Sequence, residues 1–404
     1  MSKSIDGGKK MSRYLYWGPF PQEQDGGAVV NYYNIKAQNL IRPRDEYFGL
    51  PKVKEELDPT WLPFVNYPLG LQYENIPDIM SQLEIPILNI FHLGPYDFER
   101  IIDPVHDVGG KIVLHQTIHW SDDVVLKSGR LADIDCIVAP TNYAKRIFVQ
   151  GKGLPPDKIP VIPHGVDTNR FYRRETILRR RFGIRKDQAV ILYSGRLGFW
   201  KGVHQIIPIV RPLVKEYDCV FIIRGGWFWG QTEGEKLGKI FAKMSKNNPN
   251  LIFLPDWQPP EVMEEMYAMT DILLFPSAHE GFGVPLIEAQ SSMAVPVTTA
   301  LANHREILGR SGDTGIMISP RVRVGEVNDG TELFVPHSDE LYGATKWLLD
   351  NPEERKIMGM AGRQNVLSRF DLNTVAQGWL DLYDQLCPPE YSMEKEVLNR
   401  LENL

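Results

Sequence analysis

Short apolar runs, each closed by a turn signal and followed by a helical stretch, recur along this chain in two separate series. That alternation specifies parallel sheets covered by helices, because parallel neighbours need a long crossover and the helix supplies it. In the first series the strands are expected at Tyr14–Trp17, Ile87–Phe91, Ile112–Ile118, Cys136–Val138 and Ile159–Ile162. Helices are expected at Ala28–Leu40, behind Gly26 and Gly27, and at Asn142–Val149. Arg42 to Tyr73, rich in proline and aromatics and without a clear period, is expected to be loop with short strands. The second series places strands at Val190–Tyr193, Val220–Ile223, Leu251–Leu254, Ile272–Phe275, Val295–Thr298 and Gly315–Ile318. Pro260–Met269 and Pro285–Met293 are amphipathic stretches between them.

A chain of 404 residues exceeds one ordinary core. Two series therefore mean two doubly wound α/β domains in tandem. The junction is the turn Pro163-His164-Gly165-Val166-Asp167, which divides 11–167 from 168–372. A last helical segment, about 373–404, carries apolar Val375, Trp379, Leu380, Leu382 and Tyr383, and is expected to pack back on the first domain.

Composition narrows the function classes. An apolar fraction of 43% and a charged fraction of 24% are those of a soluble globular protein. The net charge of -6 supplies no global basic field for nucleic acid. Cys136, Cys219 and Cys387 lack ligand spacing, so they read as buried free thiols of a reducing cytoplasm, not as a zinc site. No run approaches the ~20 apolar residues that cross a bilayer. Met1 to Lys10 is polar and lacks the apolar centre of a signal peptide. A cytoplasmic location follows, with contact at the inner membrane surface left open. Arg170 to Lys186, with eight basic residues and one acidic, is either an anion-facing patch or a solvated helix face whose buried stripe is Ile177, Leu178 and Phe182.

Two loops carry the chemistry. The strand ending at Phe275 delivers the chain to the carboxyl edge of its sheet, where open α/β sheets bind ligands. Glu280-Gly281-Phe282-Gly283 follows, and then a helix from Val284 or Pro285 aims free N–H groups at the loop, which suits phosphate. Glu288 is expected in the first turn of that helix, on the ligand side, where a carboxylate accepts paired hydroxyls. Carboxylates on both sides of an anion site make sense for a phosphate with a sugar at either end; capping glutamates are the bland alternative. The strand Val190–Tyr193 leads into Ser194 to Gly202, where Arg196 and Lys201 supply positive charge at the same edge.

These residues resemble the retaining GT-B glycosyltransferases of family 4, the glycosyl transferases group 1. The motifs that carry the resemblance are PHGVD (Pro163–Asp167), SGRLGFWKG (Ser194–Gly202), EGFGVPLIE (Glu280–Glu288) and the closing pattern from Arg369 to Leu386. The resemblance implies two Rossmann-like domains facing a central cleft, and metal-independent transfer of a hexose-type sugar from a UDP- or GDP-linked donor without a cofactor. It implies a glycan, lipid-linked or small-molecule acceptor and no nucleic-acid partner. Arg196 and Lys201 then look like the diphosphate ligands, Glu288 like the ribose ligand, and Glu280 like the residue at the transferred sugar, with Gly281, Phe282 and Gly283 offering backbone amides. Gly26 and Gly27 are similar to the glycine pair near the donor phosphates, or equally a simple helix start. Thr117-Ile118-His119 matches the family's histidine pattern, which makes His119 the catalytic candidate beside Glu280, and His115 the alternate.

The sequence departs from that family at Leu301-Ala302-Asn303-His304-Arg305-Glu306, where a glycine-rich turn is usual, and at Ser291 to Pro296. The loop from Arg224 to Gly230 is unusually aromatic. A nucleotide-sugar epimerase or phosphorylase on the same scaffold, and a silent nucleotide-sugar sensor, are the competing functions.

Overall fold

The computed structural model describes residues 14–17, 37–38, 47–50, 65–66, 73–91, 99–118, 128–226, 232–326, 332–388 and 390–402. Its contacts divide the chain into two units, Met1–Gly165 with Leu372–Leu404, and Val166–Asp371.

The first unit holds β1 (Tyr14–Trp17), β2 (Tyr47–Leu50), β3 (Val65–Asn66), β4 (Ile87–Phe91), β5 (Lys111–His115) and β6 (Cys136–Val138). They form one parallel sheet in the order β3-β2-β1-β4-β5-β6. β4 and β6 are buried along their whole length, which is why they read as unbroken apolar runs. Helices α1 (Ile76–Gln82) and α2 (Glu99–Asp107) set Ile76, Met80, Ile101, Ile102 and Val105 into a core with Leu88, Ile90, Ile112 and Leu114. Thr141 caps α3 (Asn142–Arg146) by accepting the Ala144 N–H at 3.1 Å, and a π-turn over Ile147–Gly151 continues it.

Two expected strands change. β5 stops at His115 instead of Ile118: Gln116 N–H still reaches Val138 O at 3.1 Å, but β6 ends there and the ladder runs out. Ile159–Ile162 forms only a bridge, Ala139 to Val161, because Pro160 has no N–H to donate and Pro163 follows directly. Gly26, Gly27 and His119 lie outside the described residues.

The second unit repeats the pattern. β7 (Ala189–Ser194), β8 (Cys219–Arg224), β9 (Leu251–Leu254), β10 (Ile272–Phe275), β11 (Val295–Thr299) and β12 (Ile316–Ile318) pair in parallel in the order β12-β11-β10-β7-β8-β9. Both sheets thus run outwards in two directions from their first strand. Alternate residues feed two cores: Val190, Leu192, Val220, Ile222 and Leu273 on one face, Ile191, Tyr193, Phe221, Ile223 and Ile272 on the other. The sheet is covered by α4 (Ile177–Arg181), α5 (Ile207–Glu216), α6 (Thr232–Lys246), α7 (Pro260–Met269), α8 (Val284–Ser291), α9 (Ala302–Leu308), α10 (Ser338–Asp350) and α11 (Pro352–Arg369). An antiparallel hairpin, β13 (Val322–Glu326) with β14 (Glu332–Val335), has no counterpart in the sequence reading.

α4 corrects the expected basic helix. It has only five residues, so Leu178 alone of its residues is buried; Ile177 stays 51% exposed, and Phe182, beyond the end, packs partly on the core. The basic segment is also extensively paired. Arg170 bonds Glu264, Arg173 meets Asp271 at 2.8 Å, Arg185 bonds Asp218 and Lys186 meets Glu175 at 3.1 Å. Arg179 donates to the carbonyls of Arg185 and Lys186 at 2.8 and 3.2 Å.

The chain then returns to the first unit. α12 (Leu372–Leu386) lays Val375, Trp379, Leu380, Leu382 and Tyr383 on Tyr14, Ile87, Val113, Cys136 and Val138, and α13 (Met393–Glu402) follows. No described helix is long and apolar enough to cross a membrane. The three cysteines are free and buried.

Candidate active site

In the strand order of the second sheet, β7 is the switch point: the chain goes one way to β8 and the other to β10. Open α/β sheets bind ligands at such a point, outside the carboxyl ends of the strands. Both expected charged loops sit at this point.

Backbone packing fixes the two loops to each other. Gly202 has φ of +68°, and a Cβ there would overlap the Pro276 carbonyl, so only glycine lets the first loop close against the second. Ala278 N–H donates to Trp200 O at 2.8 Å across the same seam. Tyr193 holds the other end, its hydroxyl donating to Arg196 O at 2.6 Å. Glu233, at the start of α6, accepts the Phe199 N–H.

The side chains meet accordingly. Lys201 Nζ donates to Glu280 Oε1 at 2.5 Å, with side-chain exposures of 11% and 9%. Its ammonium also stands 4.3 Å from the Trp200 ring centre. Burial lowers the Lys201 pKa from its ordinary value, and Glu280 opposes that pull. Arg196 is exposed and close enough for its charge to act on Lys201. The loop therefore carries one cation joined to a carboxylate and a second at its surface.

Gly283, at φ +111°, is the N-cap of α8, and no side chain caps the helix start. Gly281, Phe282 and Gly283 are buried. Glu288 is the fifth residue of α8, not in its first turn, because the helix begins at Val284 and a turn takes 3.6 residues. Its surroundings are also unlike those of a cap. Burial pushes the Glu288 carboxyl up to about 7, while Tyr267 and Arg224 pull it down. The Tyr267 hydroxyl stands beside Glu288 without a well-formed hydrogen bond.

Arg224, the last residue of β8 and paired in register with Ser194, completes this group. Its Nε is buried without a hydrogen-bond partner, and burial lowers its pKa. Sequence reading named Arg224 only as the start of an aromatic loop; its strand-end position was the available signal. His304 and Asn303 were likewise passed over as a departure from a glycine turn. Burial drives His304 down to about 4, so the ring is neutral; its Nδ1 lies 2.9 Å from Thr298 Oγ1 and 3.0 Å from Thr299 O. Asn303 Nδ2 donates to Glu280 O at 2.9 Å and Phe282 O at 3.0 Å.

In the first unit, His115 ends β5 beside three rings. Phe91, Trp379 and His164 have centroids 4.6, 4.9 and 5.1 Å from it. The structure thus gathers Arg196, Lys201, Glu280, Gly281, Phe282, Gly283 and Glu288 at one sheet edge. Among the described residues no cluster of three His, Cys, Asp or Glu side chains is arranged to hold a metal.

Comparison with known proteins places this geometry. The family model for Glycosyl transferases group 1 matches residues 174–365, and that for Glycosyltransferase Family 4 matches residues 21–170. A D-inositol 3-phosphate glycosyltransferase of Thermomonospora curvata is 27% identical over 203 residues, 46% of this chain and 46% of that protein. An α-galactosylglucosyldiacylglycerol synthase of Streptococcus pneumoniae is 29% identical over 238 residues, 58% of this chain and 56% of that one. The chain thus spans about half the length of these curated relatives. Among solved structures, a Rickettsia africae glycosyltransferase has a TM-score of 0.73 at 16% identity, covering 93% of this chain and 98% of its own. Anabaena HepE, solved with UDP and glucose, has a TM-score of 0.70 at 16% identity, covering 92% of this chain and 99% of its own. At that identity the likeness shows the fold. The two family models together cover residues 21–170 and 174–365, most of the chain, and the chain belongs to the group 1, family 4 glycosyltransferases of the GT-B fold.

Proposed function

We propose that this protein transfers a hexose-type sugar from a nucleoside-diphosphate donor to an acceptor hydroxyl, with retention of anomeric configuration and without a metal. The observation that carries the proposal is the meeting of Lys201 with Glu280 across the switch point, with Glu288 and Arg224 in the same sheet-edge group. Such a donor is an anion between two hydroxyl-bearing rings, and this site offers cations flanked by carboxylates.

On this reading Lys201 exchanges part of its bond to Glu280 for a phosphate oxygen, and Arg196 and the start of α8 complete the diphosphate site. Glu288 accepts the ribose hydroxyls. Glu280, with the backbone of Gly281, Phe282 and Gly283, faces the sugar that moves. The resemblance adds Gly26 and Gly27 at the diphosphate and His119 at the sugar. The acceptor oxygen bonds to the anomeric carbon while the bond to the phosphate oxygen breaks. The acceptor's proton passes to that departing oxygen on the same face, and the cations hold the charge that develops there.

UDP is the first choice of nucleotide and GDP the second; HepE's complex with UDP and glucose supports that order. The named relatives, one for an inositol phosphate and one for a diacylglycerol glycolipid, favour a small or lipid-linked acceptor. A cytoplasmic enzyme that touches the inner membrane surface fits both.

The test is a thermal-shift screen with UDP, GDP, ADP and their sugars, since a ligand of the native state raises the melting temperature. One nucleoside diphosphate is expected to stand out, and Arg196→Ala and Lys201→Ala are expected to reduce its shift. No shift with any nucleotide, in a folded protein, rejects the proposal. Anomer-resolved NMR of the product tests retention separately.

A further inference from the structure

The glycine loop between β10 and α8 is shaped by a residue outside it. Asn303, in the first turn of α9, is buried, and its single Nδ2 donates to two carbonyls of that loop, Glu280 O at 2.9 Å and Phe282 O at 3.0 Å. Two acceptors require an NH₂ group between them, one hydrogen for each; a carbonyl or carboxylate oxygen there would repel both.

The consequence for the loop follows from peptide planarity. The described peptide bonds are trans, and in a trans peptide C=O and N–H point in opposite directions. Glu280 O belongs to the peptide whose N–H is that of Gly281, and Phe282 O to the one whose N–H is that of Gly283. Drawing both carbonyls toward α9 turns both glycine N–H groups the other way. Neither N–H has a hydrogen-bond partner among the described residues. In the sheet β11 flanks β10 on one side and β7 on the other. The side away from α9, which follows β11, is therefore that of β7, from which Lys201 reaches Glu280.

The seat of Asn303 is itself fixed. Thr298 donates to Phe275 O at 2.7 Å, and the neighbouring His304 ring bonds Thr298 and Thr299. Its unpartnered Nε2 lies 3.4 Å from where a Cβ on Gly283 would sit. α9 is thus tied to the end of β10 and β11 before it grips the loop.

We propose that Asn303 is a positioning residue that presents the Gly281 and Gly283 N–H groups as a pair to an anionic oxygen of the donor's distal phosphate, the phosphate that carries the transferred sugar and so lies beside it on the same loop. This rests on the function proposed above, and it explains how the chain does without a glycine-rich turn before Glu306: the amide takes over the task of orienting the neighbouring loop.

The test compares Asn303→Asp and Asn303→Ala with the wild type in calorimetric titrations of UDP, GDP, UMP and GMP. Asp has the same shape but, ionised, has no proton to donate, so the two peptides are released and pushed away. Ala leaves room for water to donate in its place. The inference predicts that Asp loses more diphosphate affinity than Ala, on the order of 100-fold against about 10-fold, the scale of losing preorganised donors at an anion site. Monophosphate affinity stays within about twofold. Lowering the pH through the range where an Asp carboxyl gains a proton restores part of the diphosphate affinity of Asn303→Asp relative to wild type at the same pH. A space-filling role gives the opposite rank, Ala worse than Asp, and no pH-dependent recovery; either result overturns the inference. If Asn303→Asp does not fold, Asn303→Ala with unchanged preference for diphosphate over monophosphate overturns it as well. Wild type that binds no nucleotide at all rejects the proposed function instead, so the two failures are distinguishable.

Discussion

The two units carry the same strand order, yet their carboxyl edges are chemically unlike. At the edge of the second sheet stand Lys201 on Glu280, Arg224 beside Glu288, and the Tyr267 hydroxyl between strand and helix. At the edge of the first, His115 stands among Phe91, His164 and Trp379. The described rings around His115 pack against one another, whereas the second edge keeps Lys201, Glu280 and Arg224 largely out of water at a cost. Desolvated charge is retained in a fold when something repays it, and on the function proposed above that repayment in the second unit comes with a ligand. The topology supplies the place; the residues decide whether it is a site.

The sharpest way to break this contrast is to remove one partner of the Lys201–Glu280 pair. Glu280→Gln leaves an ammonium that is 11% exposed without its carboxylate, and the expected loss is about 3 kcal/mol of stability. The double variant Lys201→Met with Glu280→Gln is expected to recover most of that loss, because no lone charge remains. Denaturant unfolding of the wild type, both singles and the double measures the cycle. Additive losses would mean that the pair is not a unit, and that the second edge is as passive as the first.

Glu288 gives the next largest effect, and its sign is definite. Its carboxyl titrates near 7 in the folded protein against an ordinary value of 4.5, so the folded state holds the proton more tightly than the unfolded chain does. Stability from this group is full below pH 4.5 and is lost as pH rises through 7. The loss is on the order of 2 kcal/mol after discounting for partial solvent access. Glu288→Gln is expected to flatten this dependence, so the variant overtakes wild type in melting temperature above pH 7. Nucleotide affinity should move the other way, rising with pH as the carboxylate that accepts ribose hydroxyls forms. Arg224→Met sharpens the same measurement. Removing the cation that pulls Glu288 down is expected to shift the titration midpoint upward by a fraction of a unit, read by the pH at which stability falls.

Much of the frame was legible because buried parallel strands advertise themselves. β1, β4, β6, β9 and β10 stand where the apolar runs placed them, since each run is closed by a turn. Ile159–Ile162 looked the same on the page, but Pro160 removes a donor that the ladder needs. The charged loops were legible for a local reason, glycines set against Arg196, Lys201 and Glu280 in short motifs. Their partners were not, because partnership there is set by strand order and not by distance along the chain. Arg224 reads as the end of an apolar strand, and only the pairing of β7 with β8 brings it beside Ser194. Asn303 reads as the loss of a glycine, and only the adjacency of β10 and β11 puts its amide on the carbonyls of Glu280 and Phe282. Glu288 falls just past the expected first turn because the helix takes the earlier of its two expected starts, Val284, beside the left-handed Gly283.

The smallest expected effect belongs to the first edge, and it is the control on the whole contrast. His115 is buried to 1% exposure at the end of β5, with its ring set edge-on to Phe91 and Trp379. If that edge is held by packing, His115→Phe keeps a ring of similar shape in the same seat, and volume-conserving exchanges in a packed core cost under about 1.5 kcal/mol. The affinity for nucleoside diphosphate should not change, since Arg196, Lys201 and Glu288 lie in the other unit and the substitution leaves them untouched. Titration of UDP and GDP into His115→Phe, beside its melting temperature, measures both. A tenfold loss of nucleotide affinity with an unshifted melting temperature would put His115 on the ligand and end the contrast between the two edges.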